Sequence, residues 1–133
     1  MVPLPGPAPA DAALCARVHA GLPAKVGQHA SRGVKPRSEF TAAWGNPAVV
    51  LTCGVLPPAG LRGSGTAPLG INGVAWLESP GAGTVDYTVV DRGVFIRVAI
   101  PREYAGQSSI LLDLSDAVSA ALPPKPIPFS VPS

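Results

Sequence analysis

Charge is scarce in this chain. Lys, Arg, Asp and Glu make up 14% of its 133 residues, against about a quarter in an average soluble protein. Charge repulsion therefore does not keep it unfolded, and with 47% apolar residues it has the material for a core. Histidine is nearly absent as well. Only His19 and His29 offer an imidazole, no GxSxG turn accompanies the serines, and GSGT at 63–66 has the wrong pattern. A nucleophile, a base and an orienting group thus have no visible source. Two cysteines without a second CxxC pair or a nearby histidine leave a structural zinc site short of ligands. No Walker-type or GxGxxG loop stands at a strand-to-helix junction, so nucleotide binding has no support. No apolar run approaches the roughly 18 to 20 residues that cross a bilayer. The chain is expected to need no cofactor and no metal, and to be no enzyme.

Proline and glycine are plentiful instead, at 17 and 15 residues. That composition favours short elements joined by rigid turns. The length fits one domain. The net charge of +2 conceals an asymmetry, because Arg17, Lys25, Arg32, Lys35 and Arg37 stand against Asp11 alone in residues 1–38. The basic character is local to that stretch. It lacks interleaved aromatics, and a sequence pI of about 8.8 falls short of a nucleic-acid footprint, so no nucleic-acid partner is expected.

Along the chain, residues 1–10 read as a Pro/Ala-rich tail. Asp11 is placed to cap a helix over 12–20, with Leu14, Cys15 and Val18 on one face and Gly21 and Pro23 as its stop. Residues 24–37 show no apolar period and read as a loop leading to a strand near 37–43. The run AVVLTC at 48–53, bounded by Pro47 and Gly54, predicts a central strand. A long connection rich in Pro and Gly follows. The runs INGVAWLE, TVDYTVVD and GVFIRVAI, separated by turn signals, predict an antiparallel meander. In the last run Val94, Ile96, Val98 and Ile100 alternate with Phe95, Arg97 and Ala99, as a half-covered sheet requires.

A final helix runs from Ser108 or Ser109 to Leu122, where Pro123 and Pro124 end it. It presents Leu111, Leu114, Val118, Ala121 and Leu122 on one face, with Ser115 and Ser119 elsewhere on the wheel. Residues 124–133 read as an extended Pro-rich tail. Together these elements predict a single α+β domain over 11–123. It is a two-layer sandwich in which a four- to five-stranded, mostly antiparallel sheet is covered by an N-terminal and a C-terminal helix.

Cys15 and Cys53 are expected either to form a disulfide or to be two buried free thiols. His19 sits where a helix C-terminal dipole would meet it, and His29 reads as a solvated loop residue. Asp86 and Asp91 face opposite sides of a regular strand and read as exposed. Asp113 and Asp116, at i and i+3, read as partners of the last helix's N-terminal dipole. Trp44 and Trp76 are by default core residues. An exposed Trp44, with Asn46 and Asn72, would supply stacking and hydrogen bonds for a glycan or protein partner. The loop cations Lys25, Arg32, Lys35 and Arg37 would suit anionic lipid headgroups or acidic wall polymers.

Four segments, AAWGNPAVVLTCGV at 42–55, INGVAWLE at 71–78, YTVVDRGVFIRVAIP at 87–101 and LLDLSDAVSAALP at 111–123, together resemble domain-of-unknown-function family 3515. The likeness covers roughly residues 11–123. It implies an uncharacterised actinobacterial envelope protein, secreted or membrane-anchored and facing the cell wall, whose partner is an unidentified envelope protein or polymer. Members typically carry an N-terminal membrane or export segment, so proximity to a membrane through a segment missing from this chain is implied. The implied oxidising compartment favours the disulfide. The family carries no activity or catalytic residues to transfer.

Overall fold

The structure, a computed structural model, describes residues 9–27, 29–32, 40–45, 47–55, 69–81, 83–104 and 107–124. The expected tail over 1–10 gives way at Pro9, where helix α1 (Pro9–Ala20) begins. Proline is tolerated in a first helical turn because its missing N–H has no partner there. Residues 125–133 of the C-terminal tail lie outside the described residues.

A single antiparallel sheet follows, with the order β1-β2-β3-β4-β8-β7-β6-β5. Its strands are β1 (Lys25–Val26), β2 (His29–Arg32), β3 (Thr41–Trp44), β4 (Val49–Cys53), β5 (Leu69–Ile71), β6 (Val74–Pro80), β7 (Thr84–Val89) and β8 (Ile96–Pro101). A short 3-10 turn (Arg102–Tyr104) leads to helix α2 (Ser108–Ala121). The α+β class and the antiparallel pairing agree with the sequence. The strand number does not: among the described residues there are eight, not four or five. The expected meander is β6, β7 and β8, and the expected central strand is β4, between β3 and β8.

The additional strands are short. The segment expected as a loop from 24 forms the hairpin β1–β2, pairing Val26 with His29. The run INGVAWLE is not one strand, because Asn72 (φ 48) and Gly73 (φ 83) turn left-handed and pair Ile71 with Val74. This is a two-residue hairpin of the kind Asn-Gly favours. The expected strand near 37–43 starts later, at Thr41, and residues 33–39 lie outside the described residues.

One face of the sheet carries the core. Leu51 and Cys53 of β4 stand in register with β8, where Cys53 faces Ile96 and Leu51 faces Val98, and Val49 faces Trp44 of β3. All are buried. Ile110, Leu114, Val118 and Leu122 of α2 join the same cluster. A disulfide joins Cys15 of α1 to Cys53 of β4, settling the choice between bonded and free cysteines.

The sheet is not flat. Strands spaced about 4.8 Å apart would set the two edges of eight flat strands roughly 34 Å apart. Yet α2 packs against both edge strands, β1 and β5, and a helix with its side chains is only about 10–12 Å across. The sheet therefore curls around α2.

Candidate functional site

The curl brings the singled-out polar side chains to the seams between α2 and the two sheet edges. Asp113 Oδ2 accepts the backbone N–H of Gly27 at 2.7 Å, in the β1–β2 turn. Asp116 Oδ1 accepts Asn72 Nδ2 at 3.0 Å, in the β5–β6 turn. One helix thus clamps opposite ends of the sheet with carboxylates three residues apart. These acids do not serve the helix dipole as expected, because none lies in the first turn, and the dipole's effect fades beyond it. Gly27 has φ 57, and a Cβ there would stand 2.7 Å from Ser109 Oγ, so only glycine fits under α2. Asp113→Ala should lower stability by about 1–2 kcal/mol, since it strands the Gly27 N–H. Asp116→Ala, on an exposed pair, should cost less than about 1 kcal/mol. Urea denaturation of both variants measures the difference.

At the β1 edge, His29 is a strand residue rather than a solvated loop residue. Its ring lies 4.2 Å from that of Tyr104, tilted by 30°, and its Nε2 donates to Gln107 Oε1 at 2.8 Å. The close approach of Gly45, where an added Cβ would meet the imidazole at 3.0–3.3 Å, completes the packing. His19 is exposed in the last turn of α1, where the helix carbonyls end.

Lys25 and Arg32 are both exposed. Lys25 pairs with Ala30, two residues before Arg32, and Arg32 pairs with Ala43, so both belong to the sheet face away from the helices. Arg32 Nη1 donates to Gly45 O at 2.9 Å. Lys35, Arg37 and Asn46 lie outside the described residues.

Trp44 does not form a stacking surface. It is 1% exposed in the core, and its Nε1 donates to Pro23 O at 3.0 Å, so its ring is closed to a ligand. Asn72 is exposed but engaged with Asp116. The surface expected from Trp44, Asn46 and Asn72 therefore loses its aromatic member.

Asp86 and Asp91 are half-buried rather than exposed. Asp86 Oδ1 accepts Thr84 Oγ1 at 2.7 Å. Asp91 lies beyond the end of β7 and accepts the N–H of Ala75 at 3.2 Å. Its Oδ2 pairs with Arg92 Nη1 at 2.9 Å. Nothing in the residue pattern singles out Arg92, which looks like a turn residue in DRG but is 3% exposed. Its Nη2 donates to Gly73 O at 2.8 Å, tying the β7–β8 loop to the Asn72–Gly73 turn. Its buried Nε finds no acceptor among the described residues. Tyr87 faces Glu78 across the β6–β7 pair. Burial first, and then the Glu78 carboxylate, push its phenol above the ordinary value.

Among the described residues no group of three or more His, Cys, Asp or Glu is placed to hold a metal ion, and no helix is long and apolar enough to cross a membrane. The family model described as "Protein of unknown function (DUF3515)" matches residues 1–127, and the chain belongs to that family. Neither a curated protein nor a solved structure matches it.

Proposed function

We propose that this family member works outside the cytoplasm, as a non-catalytic domain of an actinobacterial cell envelope that binds another envelope component, protein or polymer. The observation that carries the reading is the disulfide between α1 and β4, with both cysteines 1% exposed in the core. Such bonds persist in oxidising compartments and are rare in the cytosol. The polar side chains also support it. Asp91, Asp113, Asp116 and His29 each hold a turn, a strand or a ring in place, so these candidates for acid–base work are occupied by architecture. Protease added to spheroplasts should digest the protein while a cytoplasmic marker stays intact. Protection until the cells are lysed would overturn the reading.

A second reading rests on Lys25 and Arg32, exposed on one face of the edge hairpin. There they suit anionic headgroups or acidic wall polymers, each cation contributing on the order of 1 kcal/mol near such a surface. The chain is then expected to sediment with phosphatidylglycerol vesicles, and Lys25→Ala with Arg32→Ala to weaken this roughly tenfold or more. Added salt should weaken it as well. Sedimentation unaffected by salt and by the double substitution contradicts this reading.

A further inference from the structure

The sheet separates its charges by face. Lys25 pairs with Ala30 and Arg32 with Ala43, and the ladder continues from Ala43 through Val50 to Ala99, two residues after Arg97 on β8. Lys25, Arg32 and Arg97 therefore share the outer face, away from the helices. All three are exposed. None has an ion-pair partner among the described residues. The carboxylates of Asp113 and Asp116 are held on α2 at the seams instead. Among the described strand residues Asp86 is the one acid on the outer face, and it lies a strand beyond Arg97. Arg32 is already fixed by its bond to Gly45 O, so engaging an anion costs it little side-chain freedom. Arg97 is flanked in register by Thr52 and Thr88, with Thr41 next to Thr52 on β3.

These cations form one diagonal line. Arg32 and Arg97 stand three strand spacings and two residues apart, about 16 Å, and Lys25 lies one spacing and two residues further along, about 8 Å. Between Arg32 and Arg97 the floor consists of Thr41, Ala43, Val50 and Thr52, side chains small enough for an extended chain to lie against the sheet. None carries a ring on which a nucleic-acid base would stack. The line is also bent. With α2 seated between them, the sheet edges stand roughly 20 Å apart, about 10 Å for each helix-to-strand packing. Eight strands that span roughly 34 Å when flat must then turn through about 200°, or about 30° per strand. The outward directions at Arg32 and Arg97, three strands apart, diverge by about 90° on this curvature. A flat bilayer that meets Lys25 and Arg32 therefore does not reach Arg97.

We propose that the outer face binds a flexible linear polyanion, which follows the curve from Lys25 through Arg32 to Arg97. This rests on the reading of Lys25 and Arg32 as anion contacts, and it selects a polymer over lipid headgroups as their partner. Arg97 is the residue that discriminates. Its guanidinium offers a fork of donors to phosphate or carboxylate oxygens, and the half-buried Thr52 hydroxyl beside it adds one more. A chain that touches all three cations must extend over at least about 24 Å. Shorter anions engage only part of the line.

Calorimetric titration of the full chain with long-chain polyphosphate at low salt is the test, with sedimentation on phosphatidylglycerol vesicles beside it. Arg97→Gln is expected to weaken polyphosphate binding about fivefold, and Arg97→Lys to retain most of it. Neither should change sedimentation with vesicles. Lys25→Ala with Arg32→Ala should weaken both. Pyrophosphate should bind at least about tenfold more weakly than the long polymer. Native Trp fluorescence in each variant would show that the fold is intact. Polyphosphate binding that Arg97→Gln leaves unchanged overturns the proposal. So does an equal loss on vesicles, which assigns the face to a membrane, and so does tighter binding of a single-stranded oligonucleotide than of polyphosphate. Absence of polyphosphate binding overturns it too. In that case vesicle sedimentation that still depends on Lys25 and Arg32 leaves the underlying reading standing, whereas failure of both ligands removes both.

Discussion

Replacing both Cys15 and Cys53 by alanine is expected to lower the unfolding free energy by about 4 kcal/mol. The bond links residues 38 apart, and opening a loop of that length returns conformational entropy mainly to the unfolded chain. Two features of the fold make the loss hard to compensate. Only Cys15 and Val18 of α1 are fully buried among its described side chains, so little else anchors that helix. Cys53 sits at the end of β4 in register with Ile96, which ties the anchor to the centre of the sheet. The melting temperature should fall by roughly 10–20 °C. Denaturant titration of the oxidised protein and the double variant measures the change, and a loss below about 1 kcal/mol would show that the bond does not stabilise the fold.

Trp76→Ala is expected to cost about 3–5 kcal/mol. The indole is fully buried on β6, opposite Val89 of β7. Its Nε1 donates to Ser115 Oγ at 2.7 Å, and Ser115 is itself fully buried on α2. The bond thus joins the two layers inside the core, where an unpaired donor is expensive. Ser115→Ala alone should cost about 1–3 kcal/mol by leaving the indole N–H without an acceptor. In a Trp76→Phe background the same change should cost far less, because no donor remains to be stranded. A double-mutant cycle by chemical denaturation gives the coupling directly. Additive effects would mean that the bond contributes nothing.

Ser115 also shows where a sequence stops being legible. Hydrophobic spacing identified Leu111, Leu114, Val118, Ala121 and Leu122 as the buried side of α2, and all but the half-buried Ala121 are fully buried. A serine four residues after Leu111 gives no apolar signal, and its place on that side depends on an indole from a strand 39 residues away in sequence. The alternation from Val94 to Ile100 was readable because each strand position sees one face only. The hairpin at 25–32 was not: β2, HASR, lacks a large apolar residue and is exposed at three of its four positions. Asn72–Gly73 was a readable signal, the strongest short hairpin mark there is, hidden inside a run that looked continuous. Arg92 could not have been found, because its burial follows from how a loop after β7 meets the turn before β6. Carboxylates chosen for possible chemistry became tethers for the same reason. Their partners, Gly27 and Asn72, come next to α2 only when the sheet curls.

The first helix is covalently joined to the sheet, and the proposed site of maturation is an oxidising compartment, where such a bond persists. Living cells that produce the protein can be quenched with acid and treated with an alkylating reagent under denaturing conditions, and the intact mass then measured. No added alkyl group is expected before reduction and two after it. Two alkylated thiols in the unreduced sample would contradict the account.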